Sequence, residues 1–226
     1  MLTPYYKDDS VTIYNTECQN LMHELEGTVV TDPPYNIGYH YDGYADNLNK
    51  DDYLALLKIA CRKPSIIIHY IEDLFDVSRV LDELPSRVVA WVYPSNTARQ
   101  WRGIAWFGIT PDFRKCGQDY RNPTDKRIAE RIERGEKARL YDWWEVNQIK
   151  NVGKEKTSHP CQIPLEVMRR VLSITDSETF IDPFAGSGTT GRAAKDLGRK
   201  AILIERNEQY CEIAAKRLSQ EVLPLC

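Results

Sequence analysis

Short apolar segments alternate with amphipathic ones over the first 94 residues, a pattern typical of alternating strands and helices. Runs rich in β-branched and aromatic residues predict strands at 11–15, 28–31, 65–70 and 87–94. Apolar residues at helical spacing predict helices at 18–25, 51–62 and 72–84. This alternation favours an α/β fold with a mostly parallel sheet.

The pattern is interrupted in the middle of the chain and then resumes. Residues 95–157 are rich in Arg, Lys, Trp and Tyr and contain one strong helical run, at 125–140, so we predict an insertion there. Beyond it, strands are predicted at 178–182 and 200–205, and helices at 164–174, 189–198 and 208–220. We therefore predict one domain made of residues 1–94 and 158–226, interrupted by residues 95–157.

The composition is that of a globular protein, and its charges are unevenly distributed along the chain. Hydrophobic residues make up 42% of the 226 and charged residues 28%, and the chain contains neither an apolar signal-peptide region nor a membrane-length apolar run. The net charge is −3. However, residues 1–98 hold 7 basic and 15 acidic side chains, whereas residues 99–156 hold 14 basic and 9 acidic ones. A polyanion is therefore expected to bind the middle of the chain.

Cysteine and histidine spacing gives no sign of a metal site. The 6 cysteines are scattered without a CxxC pair, and the 4 histidines are not at ligand spacing. We expect free thiols in a reducing cytosol and no bound metal.

A glycine-rich turn lies between a predicted strand and a predicted helix near the C-terminus. The stretch DPFAGSGTTG, residues 182–191, places Gly186 and Gly188 where positive φ angles and close approach of a ligand are permitted. Glu205 ends the next predicted strand, where this fold class places an acid that accepts hydrogen bonds from ribose hydroxyls. The turn and the acid together predict a nucleoside-binding site.

The same glycines match the G-x-G-x-x-G pattern of nicotinamide dehydrogenases, but two observations argue against that class. Only 21 residues follow Glu205, and no dehydrogenase-like catalytic set precedes the turn. A P-loop is also disfavoured, because no Lys-Ser/Thr pair follows the glycines. S-adenosylmethionine has a ribose and a carboxylate but no phosphate, so it is the cofactor that the turn predicts.

A second candidate site is the stretch TDPPY, residues 31–35, at the end of the predicted strand 28–31. Pro33 and Pro34 lack a backbone N–H and have fixed φ angles, so they end the strand and preset the neighbouring carbonyl groups. Pro33 also favours an extended conformation for Asp32. We expect a carboxylate, a rigid corner and the exposed ring of Tyr35 in a fixed mutual arrangement.

TDPPY near the N-terminus and DPFAGSGTT near the C-terminus together resemble the S-adenosylmethionine-dependent amino-methyltransferases of DNA, which make N6-methyladenine or N4-methylcytosine. The order, with DPPY first and the glycine turn last, is similar to the permuted β group of that family. The resemblance implies a doubly wound, mostly parallel Rossmann-like sheet that is circularly permuted, with residues 95–157 as a small basic target-recognition insertion. In such a sheet the strand 11–15 would lie beside the strand that ends at Glu205.

The resemblance also implies which residues contact S-adenosylmethionine. They are Asp182, Phe184, Ala185, Gly186, Ser187, Gly188, Thr189, Glu205, Glu17, His159 and Asp32. Glu17 stands where the family has an acid near the cofactor's adenine, although Thr16-Glu17 replaces the usual Gly-Asp. His159 opens HPCQIP, which is similar to the family's HPxxxP element, although Ile163 replaces the usual lysine before the last proline. A solvated glutamate and a loop histidine are the alternative interpretations.

For catalysis the resemblance points to Asp32, Pro33, Pro34 and Tyr35. The Asp32 carboxylate and the Pro33 carbonyl would accept the two amino hydrogens, and Tyr35 would stack on a base flipped out of the duplex. Asp at the first position of the tetrapeptide favours adenine N6, with cytosine N4 as the alternative. The Pro-Cys nucleophile of cytosine-C5 enzymes is absent outside His159-Pro160-Cys161, so direct transfer to the amino nitrogen is expected.

Double-stranded DNA is the expected partner. Candidate contacts are Tyr39, His40, Arg99, Arg102, Arg114, Lys115 and Arg121, with Trp101 and Trp106 nearby. The group often forms homodimers and occurs in the cytoplasm of bacterial, archaeal or phage-infected cells, in part within restriction-modification systems. A non-catalytic protein that kept the fold is a further alternative, against which the intact DPPY and glycine sets argue.

Overall fold

The computed structural model describes residues 2–41, 44–149 and 155–220, with the backbone alone for residues 40, 41, 44 and 45. The strands are β1 (Tyr6–Lys7), β2 (Val11–Asn15), β3 (Thr28–Thr31), β4 (His40–Tyr41), β5 (Tyr44–Ala45), β6 (Ser65–His69), β7 (Arg87–Val92), β8 (Trp101–Phe107), β9 (Gly117–Gln118), β10 (Ala138–Arg139), β11 (Trp143–Glu145), β12 (Thr179–Asp182) and β13 (Lys200–Glu205). The helices are α1 (Lys50–Ala60), α2 (Ile71–Leu81), α3 (Lys126–Glu133), α4 (Leu165–Ser173), α5 (Thr189–Asp196) and α6 (Glu208–Leu218).

One mixed sheet of nine strands, in the order β1-β2-β13-β12-β3-β6-β8-β7-β11, organises the chain. The five strands from β2 to β6 in that order are parallel. Strand β8 is antiparallel to both β6 and β7, and β11 is parallel to β7. The predicted mostly parallel α/β sheet is therefore confirmed.

The two ends of the chain meet inside this sheet. Strand β2 pairs in parallel with β13, in a register that runs from Val11 opposite Ala201 to Asn15 opposite Glu205. Strand β2, from the N-terminal part of the chain, thus lies next to the last strand, β13. This is the circularly permuted arrangement that the order of the motifs predicts.

Helices cover both faces of the sheet and create two apolar layers. Side chains of α1 and α2, among them Leu57 and Val77, pack on one face. Side chains of α4, α5 and α6 pack on the other, with Val171 and Ala193 as examples. Because both faces are covered, the central strand β6 is buried along its whole length and reads as an uninterrupted apolar run, Ile66 to Ile68. None of the helices in the described ranges is long and apolar enough to cross a membrane.

The predicted insertion at 95–157 is corrected by the position of two strands. Trp101–Phe107 forms β8, which lies between β6 and β7 in the sheet, and Trp143–Glu145 forms β11 at its edge. Trp106 within β8 is fully buried, and its indole N–H donates to the Thr175 hydroxyl at 3.0 Å. This stretch therefore belongs to the sheet, and the segment outside the sheet runs from about residue 108 to 142.

Two predicted helices are also shorter or different in type. Residues 18–25 form two 3-10 turns, Cys18–Asn20 and Met22–Glu24, because Leu21 between them has a φ of −129°, outside the helical range. The helical run 125–140 is helical only over Lys126–Glu133. Gly135, with φ of 73°, follows that helix and turns the chain toward β10.

Candidate active site

The ends of the parallel strands bring the predicted site residues to one edge of the sheet. Asp32 follows β3, His69 ends β6, Asp182 ends β12 and Glu205 ends β13. A cavity of about 460 Å³ opens at this edge. Its lining includes Asp32 and Pro34 from the first motif, together with the glycine turn and Glu205 from the second. Residues that are 150 positions apart in sequence therefore share one cavity, as expected at the carboxyl edge of such a sheet.

The side chains of the DPPY corner are more buried than the sequence predicts, and two of them are hydrogen-bonded to each other. The Asp32 side chain is 16% exposed, and it accepts a hydrogen bond from the Tyr35 hydroxyl. Burial raises the pKa of Asp32, an effect that the nearby Arg102 guanidinium and the Tyr35 hydroxyl oppose. Tyr35, expected to present an exposed ring, is only 9% exposed and stacks on His69 with ring centroids 4.2 Å apart. The Tyr35 ring therefore packs against His69 and Tyr70 at the end of β6.

A buried pair that the sequence analysis missed supports this corner. The Tyr53 hydroxyl lies 3.0 Å from the Pro34 carbonyl oxygen and 2.8 Å from His69 Nε2. Because a carbonyl can only accept, Tyr53 donates to Pro34, and His69 Nε2 therefore donates to Tyr53. Tyr53 and His69 are 4% and 0% exposed. The sequence feature that could have indicated this pair is His69, a polar residue at the end of the apolar run SIIIH.

The loop after the corner is held by a third residue that the sequence does not predict, Asp46. Its carboxylate is 2% exposed and accepts the backbone N–H groups of Asn36 (2.8 Å), Ile37 (3.1 Å) and Tyr39 (3.0 Å). Asn36 has a positive φ of 55° in this loop. Satisfying three amides with one buried carboxylate fixes the direction in which the chain leaves the corner.

Asp182 lines the cavity, but its carboxylate is engaged by the protein. It accepts the Thr31 hydroxyl at 2.9 Å, the Phe184 N–H at 3.1 Å, and the Thr190 hydroxyl. Burial raises the pKa of Asp182 to about 6, although these hydrogen bonds oppose the shift. Asp182 thus ties β3 to β12 and holds the start of the glycine turn.

The two glycines of the turn have different surroundings. Gly186 has φ of 50°, and a Cβ there would lie 2.8 Å from Nε2 of His159. Gly188, with φ of 75°, lies against Ala214 of α6, whose Cβ would be 2.9 Å from an added Cβ. Of the residues predicted to contact the cofactor, Gly188 is the one that does not line the cavity in the described structure. It serves the packing of α5 on α6 instead.

The remaining predicted cofactor residues surround the turn. The Glu205 carboxylate is 9% exposed and accepts the Gly186 N–H at 2.9 Å and the Asn207 N–H at 2.8 Å. Burial raises its pKa. Glu17 is half exposed and forms an ion pair with Arg206 at 3.3 Å. Both glutamates line the same wall of the cavity, as do Phe184, Ala185, Ser187 and Thr189.

His159 lines the cavity beside Gly186 as a neutral ring. Its ring packs edge-on against Tyr210 with centroids 4.5 Å apart, and its buried Nδ1 has no hydrogen-bond partner among the described residues. Burial, with the nearby Lys156 charge, lowers the pKa of His159 to about 4. A buried nitrogen without a partner next to a cavity is the kind of group that a bound ligand satisfies.

The predicted DNA-contact residues are not brought together. Arg99, half exposed, pairs with Glu72 at 3.4 Å at the carboxyl edge of the sheet, whereas Arg102 is buried beside Asp32. Because β8 runs away from that edge, Arg114 and Lys115 lie at the opposite edge, where Lys115 pairs with Asp176 ahead of β12.

The other candidates are spread along the chain. The Arg121 guanidinium lies 4.8 Å from the rings of both Tyr141 and Trp143. Tyr39 is 41% exposed in the loop after the corner, and Trp101 is 38% exposed. Trp106 is fully buried and is excluded as a DNA contact. The side chain of His40 lies outside the described part of the molecule.

The glycine turn, its flanking acids and the DPPY corner lie on one cavity at the carboxyl edge of a Rossmann-like sheet. This combination defines an S-adenosylmethionine-dependent methyltransferase. Residues 88–216, more than half of the chain, match the family of DNA methylases named N6_N4_Mtase. The protein therefore belongs to the DNA amino-methyltransferases that act on adenine N6 or cytosine N4.

Individual relatives are similar over most of the chain. The DNA adenine methyltransferase YhdJ of Escherichia coli (strain K12) is 27% identical over 89% of this chain and 79% of its own. The crystal structure of an M1.HpyAVI–SAM complex has a TM-score of 0.62 and 23% identity, covering 93% of this chain and 100% of that one. The PvuII DNA methyltransferase, described as cytosine-N4-specific, has a TM-score of 0.68 and 16% identity, covering 98% and 91%.

The cofactor of the family is S-adenosylmethionine, and the cavity has the groups to take it. Two acids, a glycine without a Cβ at the turn, and the unsatisfied His159 nitrogen line its walls. A ligand with hydroxyl, amino and carboxylate groups can use each of these. The described residues contain no group of three His, Cys, Asp or Glu side chains placed to hold a metal ion.

Proposed function

We propose that the protein transfers a methyl group from S-adenosylmethionine to the N6 amino group of an adenine flipped out of double-stranded DNA. The observation that carries this proposal is the position of Asp32, which lines the cavity shared by the glycine turn and Glu205. A carboxylate at that position is an acceptor for a substrate amino group next to the bound cofactor.

On the cofactor side, the acids and the turn would hold the nucleoside. Glu205 would accept hydrogen bonds from the ribose hydroxyls, and Glu17 would approach the adenine of the cofactor. Gly186 leaves the turn open, and His159 would offer Nδ1 to a polar group of the ligand. When bound, S-adenosylmethionine supplies a methyl group activated by its sulfonium. Asp182 acts indirectly, since Thr31, Thr190 and the Phe184 amide already occupy its carboxylate.

On the substrate side, two acceptors of the DPPY corner would take the two amino hydrogens. These are the Asp32 carboxylate and the Pro33 carbonyl, whose position the two prolines fix. Hydrogen bonds to both hydrogens favour a pyramidal nitrogen with its lone pair free to attack the methyl group. As the N–CH3 bond forms, the S–CH3 bond would break, S-adenosylhomocysteine would leave, and one amino proton would be released to solvent. Tyr35 orients Asp32 through its hydroxyl. It would stack on the base once its ring turns away from His69. Catalysis then rests on orientation and on prearranged charge.

Adenine is the proposed target because Asp opens the tetrapeptide, and the relative named DNA adenine methyltransferase supports this choice. Cytosine N4 is the second candidate, which the likeness to the cytosine-N4-specific PvuII enzyme keeps open. DNA lacking methylation, treated with protein and cofactor and digested to nucleosides, should yield N6-methyladenine by mass spectrometry. N4-methylcytosine as the sole product would replace the adenine assignment.

For DNA contact we propose Tyr39 in the loop after the corner, Arg99 at the carboxyl edge of the sheet, and Arg121 in the segment outside the sheet. The exposed basic helix α3 belongs to the same segment. Target recognition is therefore assigned to residues from about 108 to 142. A homodimer stays a prediction of the resemblance.

A further inference from the structure

Arg102 is predicted from the sequence to contact DNA, yet the structure buries it behind the catalytic corner. It is the second residue of β8, which pairs with both β6 and β7. Its side chain is 14% exposed, and Nη1 lies 3.6 Å from Oδ2 of Asp32. Arg102 does not line the cofactor cavity, so Asp32 lies between that cavity and the guanidinium.

Four aromatic rings surround the guanidinium of Arg102. Its central carbon lies 5.0 Å from the ring centroid of Tyr35, 5.3 Å from Trp91, 5.8 Å from Tyr93 and 5.9 Å from Tyr70. Its Nε is buried and has no hydrogen-bond partner among the described residues. Burying the charged guanidinium costs free energy, and the aromatic rings and the Asp32 carboxylate compensate that cost. An arginine that only contacted phosphate would not need this burial.

Asp32 needs a cation because its function requires the carboxylate form. Only an ionised carboxyl group accepts hydrogen bonds through both oxygens without donating. Burial raises the pKa of Asp32, and the charge of Arg102 opposes that rise. In turn, the Asp32 carboxylate favours the charged guanidinium, and the pKa of Arg102 is raised although burial opposes the charge.

Other titratable groups face the same carboxylate from each neighbouring element. Tyr35 lies on the same corner, His69 ends β6 with Asp73 3.3 Å from its Nδ1, and Asp182 ends β12. Tyr70 and Tyr93 face the guanidinium. Asp182 would repel the charge on Asp32. Within the described structure, Arg102 is the permanently charged cation next to Asp32.

We propose that Arg102 is a positioning residue for methyl transfer, whose guanidinium holds the Asp32 carboxylate in its charged form and fixed orientation. The inference rests on the proposed function, because it assigns to Asp32 the role of acceptor for the target amino group. It also assigns to Arg102 a role in the chemical step and not in binding the DNA backbone.

The decisive variants are Arg102→Gln, Arg102→Lys and, as a matched control, Arg79→Gln, which removes an exposed arginine that pairs with Asp76 on α2. Initial rates of methyl incorporation into unmethylated duplex DNA would be measured from pH 5.5 to 9.5. In Arg102→Gln the acid limb should move to higher pH by about one to two units, so that activity lost at pH 6.5 recovers at pH 9. Arg102→Lys should show a smaller shift, and Arg79→Gln should keep the wild-type limb.

A phosphate contact would produce a different result. Loss of such a contact raises the KM for DNA and reduces the salt dependence of binding, while the acid limb stays in place. That outcome for Arg102→Gln, or any rate loss that higher pH does not recover, overturns the proposal. Equal cofactor affinity of the variants by calorimetry verifies that they are folded.

A second measurement separates this inference from the proposed function. The Asp32 carboxyl can be titrated by 13C NMR in aspartate-labelled protein, with the signal assigned through Asp32→Asn. Its midpoint should rise by about one to two pH units in Arg102→Gln. An unchanged midpoint refutes the role of Arg102 even if the enzyme is active. A raised midpoint in a protein that methylates no DNA upholds the pairing and refutes the proposed function instead.

Discussion

Three acids at the carboxyl edge of the sheet differ in what surrounds each carboxylate. Asp182 is satisfied by two hydroxyls and an amide of the protein itself. Glu205 accepts two backbone amides and still faces the cavity. Asp32 has one hydroxyl and a nearby guanidinium. This difference separates a structural carboxylate, a ligand-facing one and the acceptor that we place in the chemistry.

The structural role of Asp182 can be tested through the pH dependence of stability. Its folded-state pKa of about 6 lies above the ordinary aspartate value of 3.8, so the folded protein binds more protons than the unfolded chain between these pH values. The contribution of Asp182 to stability is then present below pH 4 and is lost as pH rises through 6. Relative to Asp182→Asn, which does not titrate there, the free energy of unfolding of the wild type should fall by about 3 kcal/mol between pH 4 and 7. Urea unfolding at several pH values measures this, and a constant difference between the two proteins would contradict it.

At the scale of elements, one turn joins three parts of the fold through its two glycines. Gly186 faces His159 in the segment before α4, and Gly188 faces Ala214 on α6. The turn therefore shapes the cavity at its first glycine and seats α5 on α6 at its second. The glycine pattern in the sequence does not show which glycine lines the cavity and which one packs against α6.

Alanine at each glycine should have a different main effect. Both positions have positive φ, so each variant should lose about 1–3 kcal/mol of stability. Gly186→Ala should in addition weaken cofactor binding, because the new methyl group displaces His159, whereas Gly188→Ala should leave the affinity of the folded protein nearly unchanged. Calorimetry with S-adenosylmethionine and urea unfolding measure the two quantities.

Ala214→Gly provides the control for the second glycine. It removes the methyl group that a Cβ at position 188 would meet at 2.9 Å. The destabilisation by Gly188→Ala should therefore be smaller in the Ala214→Gly background than in the wild type. Equal losses in both backgrounds, or equal loss of affinity in both glycine variants, would show that the turn acts as a single unit.

At the scale of the whole molecule, much of the architecture could be predicted from local patterns. Strands such as VTIYN and KAILIE have a clear period and length, and the order of the two motifs predicts that these strands are neighbours. The position of β8 could not be predicted, because its place between β6 and β7 depends on antiparallel pairing across the sheet. Its Arg, Trp and Gly content resembles that of the segment that follows.

The candidate site was predictable in outline but not in its contacts. The sequence motifs identified Asp32, Glu205 and the glycine turn, and these residues line the same cavity. The inward turn of Tyr35 and the burial of Arg102 arise from packing against His69 and Trp91. The hydrophobic pattern of a sequence does not show such contacts between distant strands. For this reason the sequence, in which Arg102 lies in a basic region, predicts a DNA contact for it.

The central claim is that Asp32 accepts the target amino group during methyl transfer to DNA. The most direct test compares wild type, Asp32→Ala and Asp51→Ala, an exposed aspartate of α1, for incorporation of labelled methyl groups into unmethylated duplex DNA. We predict at least a 100-fold loss, roughly the scale of losing a positioned polar group, for Asp32→Ala alone, with cofactor affinity within about threefold of wild type. Unchanged turnover in Asp32→Ala, or no incorporation by the wild-type protein into any duplex DNA, would contradict the account.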